Sequence, residues 1–199
     1  MAAILLDVDG VLNAFELGPT SEVERFEDFG VHDVEFELEA GHPRTFVVFL
    51  SPAMGARLAG LAVDIQWATT WEHRADSAIA PLCGLPSGLP VLTPRDEAES
   101  WDLDWKLIEV RRAVERDPRP FVWIDDDVDF FHDGAASARE WAESLPLPSL
   151  LIAPEGETGL LPLSSIPSRT SYAATARNSR TKRQVSPSLV PVPDGPWSP

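Results

Sequence analysis

Ile4-Leu5-Leu6-Asp7-Val8-Asp9-Gly10-Val11-Leu12-Asn13 decides how this chain is read. Three apolar residues lead into two aspartates one residue apart, and a glycine then turns the chain. Residues Ala2 to Leu6 have the short, continuous apolar character of a strand buried on both faces. Two carboxylates on one side of an extended backbone repel each other unless a cation lies between them or one keeps its proton. A hard, oxygen-preferring ion such as Mg²⁺ suits such a pair. A strand ending this way can hold a metal and can also present a nucleophile.

Downstream, Val34-Glu35-Phe36-Glu37-Leu38 alternates apolar and acidic residues, Gly41-His42-Pro43 supplies a turn, and Thr45 to Leu50 reads as a second strand. A β-hairpin over Val34 to Leu50 is therefore expected, after an irregular polar stretch from Asn13 to about His32. Ser51-Pro52 opens a helix to about Leu61, with serine as cap and proline in the first turn. Val63 to Ala68 is a buried strand, His73 to Leu82 a helix ended by Gly84, and Val91-Leu92 a short strand. Leu103 to Glu115 is amphipathic, with Leu103, Leu107, Val110 and Val114 on one face. Phe121 to Ile124 is another buried strand, and Asp125-Asp126-Asp127 follows it. Ala135 to Leu145 reads as a helix and Leu150 to Ala153 as a last strand.

Apolar strands alternating with helices predict an α/β fold with three layers and a mainly parallel central sheet. Ligands of such sheets lie beyond the carboxyl ends of the strands, where Asp7, Thr69 and Asp125 all fall. From about Ser168 the hydrophobic periodicity stops and Ser, Arg and Pro dominate. The expected organisation is one domain over residues 1–166 and a disordered tail over 167–199.

The 199 residues carry a formal net charge of −16, from 32 acidic and 16 basic side chains. Five of the basic ones (Arg169, Arg177, Arg180, Lys182 and Arg183) lie in the tail, so the body is more acidic still. That disfavours broad electrostatic binding to nucleic acid but leaves room for a phosphorylated ligand held through a metal. No apolar run approaches the roughly 18–20 residues that span a bilayer, and no basic-then-apolar leader opens the chain. With Cys83 the single cysteine, a cytoplasmic location without membrane association is expected.

The arrangement resembles the haloacid dehalogenase-like (HAD) phosphohydrolases over about residues 3–162. The family's strand ending Asp-x-Asp-Gly-x-hydrophobic-x is matched by Asp7 to Asn13, and its strand ending in Thr or Ser by Trp67-Ala68-Thr69-Thr70. Its helix-borne lysine is matched by Lys106 and its acidic pair by Asp125-Asp126. All four occur in the family's order. Trp-Ala-Thr-Thr-Trp-Glu, Trp-Lys, Trp-Ile-Asp-Asp-Asp and Thr158-Gly159-Leu160 look like the small HAD domains grouped with Swiss Army Knife RNA-repair proteins.

The resemblance implies a Rossmann-like HAD fold with a small hairpin insertion and no large cap domain. It also implies a Mg²⁺-dependent phosphatase working through an aspartyl-phosphate. Asp7 would be the nucleophile and Asp9 the general acid and base. Thr69 would hydrogen-bond the phosphoryl group, with Thr70 as competing candidate, and Lys106 would neutralise charge. The metal would be held by Asp7, the main-chain carbonyl of Asp9, Asp125 and Asp126. Gly10, Thr70, Trp71 and Arg74 form the candidate substrate-binding set. For His73 and Arg74 the alternative is a plain surface helix pair. Trp67, Trp101, Trp105, Trp123 and Trp141 read as core; Trp71, which follows the site threonines, is the exception. The substrate would be a phosphorylated small molecule or, in the rival reading, a nucleic-acid end. A third reading is a non-catalytic phosphate-binding domain.

Overall fold

The computed structural model of the protein describes residues 1–14, 28–39, 42–96, 102 and 104–161. Strand β1 (Ala3–Leu6) is buried along its whole length. It is central because it pairs in parallel with β4 (Asp64–Trp67) on one side and β5 (Phe121–Ile124) on the other. Strand β8 (Ser149–Ile152) pairs in parallel with β5, giving the order β4-β1-β5-β8. Alternation along β1 splits the core in two. Ile4 and Leu6 join Ile65, Trp67, Met54, Ile79 and Ile124 on one face. Ala3 and Leu5 join Leu107, Val110, Phe121, Trp123 and Trp141 on the other. Apolar side chains on both faces of the sheet are what the uninterrupted Ile-Leu-Leu and Phe-Val-Trp-Ile runs require. Trp67, Trp105, Trp123 and Trp141 are all core residues.

The first face is covered by α1 (Pro52–Ala59) and by a helical segment made of a π turn (Ala75–Ile79) followed by α2 (Ala80–Cys83). Ser51 caps α1 through its hydroxyl, which accepts from the Met54 N–H at 3.1 Å. Asp28 braces this start by accepting from the Ser51 hydroxyl at 2.7 Å and the Ala53 N–H at 2.8 Å. Helices α3 (Trp105–Arg116) and α4 (Ala138–Ser144) cover the second face. Ser137 and Glu140 form a reciprocal capping box at the start of α4.

The hairpin is longer than its alternating core suggests. Strand β2 (Gly30–Glu39) pairs antiparallel with β3 (His42–Leu50), so pairing begins at Gly30 opposite Leu50, inside the stretch expected to be irregular. Cross-strand hydrogen bonding to β3 imposes the extended form there, which composition alone does not signal. The expected helix from Ala135 begins instead at Ala138, because Ala136–Ser137 (β7) pairs with His132–Asp133 (β6). Helix α1 ends at Ala59, capped by Gly60. Val91 forms an isolated bridge to Trp67 rather than a strand of its own. Leu103, Trp101 and the tail lie outside the described residues.

Helix α1 and the 75–83 segment touch at Gly55. A Cβ there would sit 1.8 Å from the Cys83 carbonyl oxygen, so no side chain fits without moving a backbone. Gly55→Ala is expected to lower stability by about 1–3 kcal/mol, as overpacking does. Chemical denaturation reads this directly, and an unchanged midpoint would show that the two segments are not in contact.

Candidate active site

The parallel register sets the site. Leu6 lies beside Ile124, and the ladder runs one residue further: the Asp7 N–H bonds to the Ile124 carbonyl at 3.0 Å and the Asp125 N–H to the Ile152 carbonyl at 3.1 Å. Asp7 and Asp125 therefore leave neighbouring strands at one level, about 5 Å apart. Both are buried, at 3 % and 0 % exposure. Lys106, on the first turn of α3, resolves the repulsion. Its Nζ lies 2.7 Å from Asp7 Oδ2 and 3.1 Å from Asp125 Oδ2. Burial alone would pull the lysine's pKa down, but the two carboxylates outweigh it and hold the ammonium charged. The Asp7 Oδ1 accepts from the Val8 N–H at 2.8 Å.

The carboxylates of Asp7, Asp125 and Asp126 come together, with one oxygen of each within 4.8 Å of the others. Gly10 makes room for Asp126. It has a positive φ of 68°, and a Cβ there would fall 2.2 Å from the Asp126 carboxyl carbon. The glycine thus serves the turn and the acidic cluster together. Burial, with Lys106 opposing and Asp7 reinforcing, pushes Asp125 up to about 8. Burial, with the charges of Asp127 and Asp7, pushes Asp126 up to about 7. Fully ionised, the three carboxylates would carry more negative charge than one lysine balances. An all-oxygen donor set under that excess fits a hard divalent ion.

Asp9 is not one of these three clustered carboxylates. Its Oδ1 accepts from Asn13 Nδ2 at 2.7 Å and its Oδ2 from the Trp71 indole N–H at 2.9 Å. Its pKa is raised: burial is the main cause and the Asp7 charge adds to it, against the lowering effect of the Asn13 and Trp71 hydrogen bonds. Asn13 in turn accepts from the Phe49 N–H of β3 at 2.8 Å. Trp71 is buried edge-on against Phe36 and Phe46, with ring centroids 5.6 and 5.7 Å away.

Thr69 follows β4 by two residues and is fully buried, its Oγ1 accepting from the Trp71 N–H at 3.3 Å. Thr70 is exposed. The N–H groups of Gly10 and Leu12 are taken within the turn, by the carbonyls of Asn13 and Val8 at 2.8 and 2.9 Å. Arg74 is half-buried, its guanidinium 4.6 Å from the Phe36 ring centre. Asp104, at the start of α3, accepts from the His132 N–H at 2.7 Å, which ties the loop after the acidic cluster to the helix carrying Lys106.

A family model described as the HAD domain in Swiss Army Knife RNA repair proteins matches residues 3–162. The chain belongs to this HAD family. Neither curated proteins nor solved structures yield a match. The HAD fold expected from the sequence is the one observed: a four-stranded parallel sheet with a small hairpin and the acidic cluster at its carboxyl edge. No helix among the described residues of this HAD domain is long and apolar enough to cross a membrane.

Sequence reasoning did not single out Asn13, Phe36, Phe46 or Asp28. Asn13 had a local signal, since it ends the aspartate motif; the other three act through contacts distant in sequence.

The raised carboxyls of Asp125 and Asp126 make a signed prediction. These groups keep their protons in the fold at pH values where the unfolded chain has lost them, so metal-free protein loses stability as pH rises from about 4 to about 8, where the loss levels off. A divalent ion competes with the same protons, so it binds more tightly across that window. A fixed Mg²⁺ concentration should raise Tm more at pH 8 than at pH 6, and Asp125→Asn should shrink the difference. Thermal melts with equal Mg²⁺ shifts at both pH values would contradict this.

Proposed function

We propose that the protein is a Mg²⁺-dependent phosphohydrolase that passes a phosphoryl group through Asp7. The reading is supported above all by Lys106 set between Asp7 and Asp125, with Asp126 beside them and Asp9 two residues beyond the nucleophile. The metal would be held by the carboxylates of Asp7, Asp125 and Asp126 and by the main-chain carbonyl of Asp9. When bound, it supplies positive charge to the phosphoryl oxygens and complements Lys106. The activity is assigned to residues 1–166, without need of 167–199.

Asp7 attacks phosphorus while the ester oxygen leaves, and Asp9 gives that oxygen its proton. Asp9 then takes a proton from water, and the water oxygen attacks the phosphorus of the aspartyl-phosphate. Phosphate leaves and Asp7 is regenerated. A carboxyl raised above its ordinary range, as Asp9 is, suits both proton transfers. Lys106 places its ammonium against Asp7 and holds that side chain in position. Most of the acceleration in phosphoryl transfer comes from such placement and charge stabilisation. Thr69 is assigned to the phosphoryl oxygens, with Thr70 as the alternative, and Gly10 and Arg74 to the pocket around them; Trp71, the remaining candidate, borders this pocket through its contact with Asp9.

A panel of phosphorylated metabolites, nucleotides and oligonucleotide ends, assayed with and without Mg²⁺, tests the reading. At least one should be hydrolysed, with activity lost on adding EDTA. Asp7→Asn should lower the rate roughly a thousandfold or more. A variant as active as wild type, with no need of metal, would leave the alternative of a phosphate-binding domain without catalysis.

One observation favours nucleic-acid ends among the substrates. Arg44 lies opposite Phe36 in the hairpin register and so shares its face, while Arg74 covers the Phe36 ring. Neither arginine has an ion-pair partner among the described residues, in a chain of net charge −16. Two cations beside Trp71, which touches Asp9, would meet a second phosphate next to the one removed. The family description, RNA repair, is consistent with such a substrate. Removing both arginines (Arg44→Ala with Arg74→Ala) should raise KM for a phosphorylated oligonucleotide about tenfold, equivalent to about 1.4 kcal/mol. KM for p-nitrophenyl phosphate should stay unchanged. Equal effects on both substrates would remove the support for nucleic acid.

A further inference from the structure

The hairpin reaches the reaction through Asp9. The Phe49 N–H of β3 donates to Asn13 Oδ1 at 2.8 Å, and Asn13 Nδ2 donates to Asp9 Oδ1 at 2.7 Å. The other carboxylate oxygen takes the Trp71 indole N–H at 2.9 Å. Trp71 is itself fixed by the hairpin: Phe36 and Phe46 stack at 4.7 Å, and the indole sits edge-on to both. Both oxygens of one carboxylate are thus held by donors anchored in the same hairpin, one through a hydrogen bond and the other through ring packing. Contact with Lys106 and Asp125, which fixes Asp7, plays no part in holding Asp9.

We propose that Asn13 and Trp71 are positioning residues that clamp Asp9 and make the β2–β3 hairpin the element that aims the proton donor. This rests on the phosphohydrolase reading. A carboxylate two residues beyond the nucleophile has freedom about two side-chain torsions. Two opposed N–H donors remove it, and misplacement of a reacting group by about 1 Å can cost roughly a hundredfold in rate. Asn13 is the last residue of the aspartate motif, four positions after the carboxylate it holds. Trp71, fully engaged with Asp9 and the phenylalanines, acts here through the acid rather than by stacking on substrate.

The dependence on leaving group tests the clamp. An alkyl phosphate needs its leaving oxygen protonated, whereas p-nitrophenolate departs with little help. Trp71→Phe keeps a ring against the Phe36–Phe46 stack but removes the donor; Asn13→Ala breaks the link to Phe49. In each variant kcat/KM for an alkyl phosphate should fall about 10- to 100-fold, and for p-nitrophenyl phosphate by less than about threefold. Parallel losses on both esters would indicate a general packing defect and overturn the positioning role, as would no loss on either.

A second measurement needs no turnover. The Trp71 indole N–H resonance, assigned by its absence in Trp71→Phe, should move on Asp9→Ala and on Asn13→Ala. A resonance indifferent to Asp9→Ala would refute the clamp even in an active enzyme. A wild type that hydrolyses neither ester and no member of the substrate panel would refute the phosphohydrolase reading, while the indole resonance would still decide whether Asp9 is held as described.

Discussion

The Lys106 ammonium between Asp7 and Asp125 is the interaction on which the site depends. Register puts the two carboxylates side by side at the buried edge of the sheet, where neither is tolerable alone. Lys106 has a matching difficulty. It lies in the first turn of α3, where the helix dipole disfavours a cation, and it is almost wholly buried. Each group is made acceptable by the others. Losing one member of such a buried set typically costs about 3–5 kcal/mol, because the remainder is left uncompensated. One contact thereby joins β1, β5 and α3, from opposite ends of the domain sequence.

Asp7 and Asp9 illustrate how one short turn gives two carboxylates different characters. Asp7 faces the ammonium of Lys106 and the carboxylates of the acidic cluster. Asp9 is held by neutral donors, Asn13 and Trp71, and its burial affects its proton more than the charges of Asp7 and Lys106 do. Charge and neutral hydrogen bonds differ in what they do to a proton, and assigning distinct acid and base roles to neighbouring carboxylates depends on that difference. The alternation of an extended backbone sends the two side chains in compatible directions, and the hairpin supplies the second environment.

Much of this was legible in the sequence because it is local or follows a simple period. Strand Phe121–Ile124 is found where its apolar run predicts, and the strands carrying Asp7 and Thr69 end within a residue or two of their expected limits. Lys106 and Asp125 were found through motif order, and the register then brings them together. What escaped depends on distance along the chain. Asn13 meets Phe49 across 36 positions and Trp71 meets Asp9 across 62. The π turn at Ala75–Ile79 leaves no periodic trace, since one extra residue in a short helix is below what spacing can resolve. The early start of β2 is imposed by its partner strand.

The segment Thr158-Gly159-Leu160 closes onto the turn that follows Asp7 and Asp9. The Leu160 N–H bonds to the Val11 carbonyl at 2.8 Å, and Gly159, at φ 63°, lies so near that a Cβ would be 2.6 Å from the same oxygen. During synthesis the aspartate turn emerges from the ribosome first but gains this brace only after some 150 further residues have been added. Strand β1 likewise waits for β5. The aspartate-bearing end of the polypeptide is therefore among the last parts to become rigid, and a nascent chain cut short before residue 159 would carry both aspartates without the support that fixes their loop.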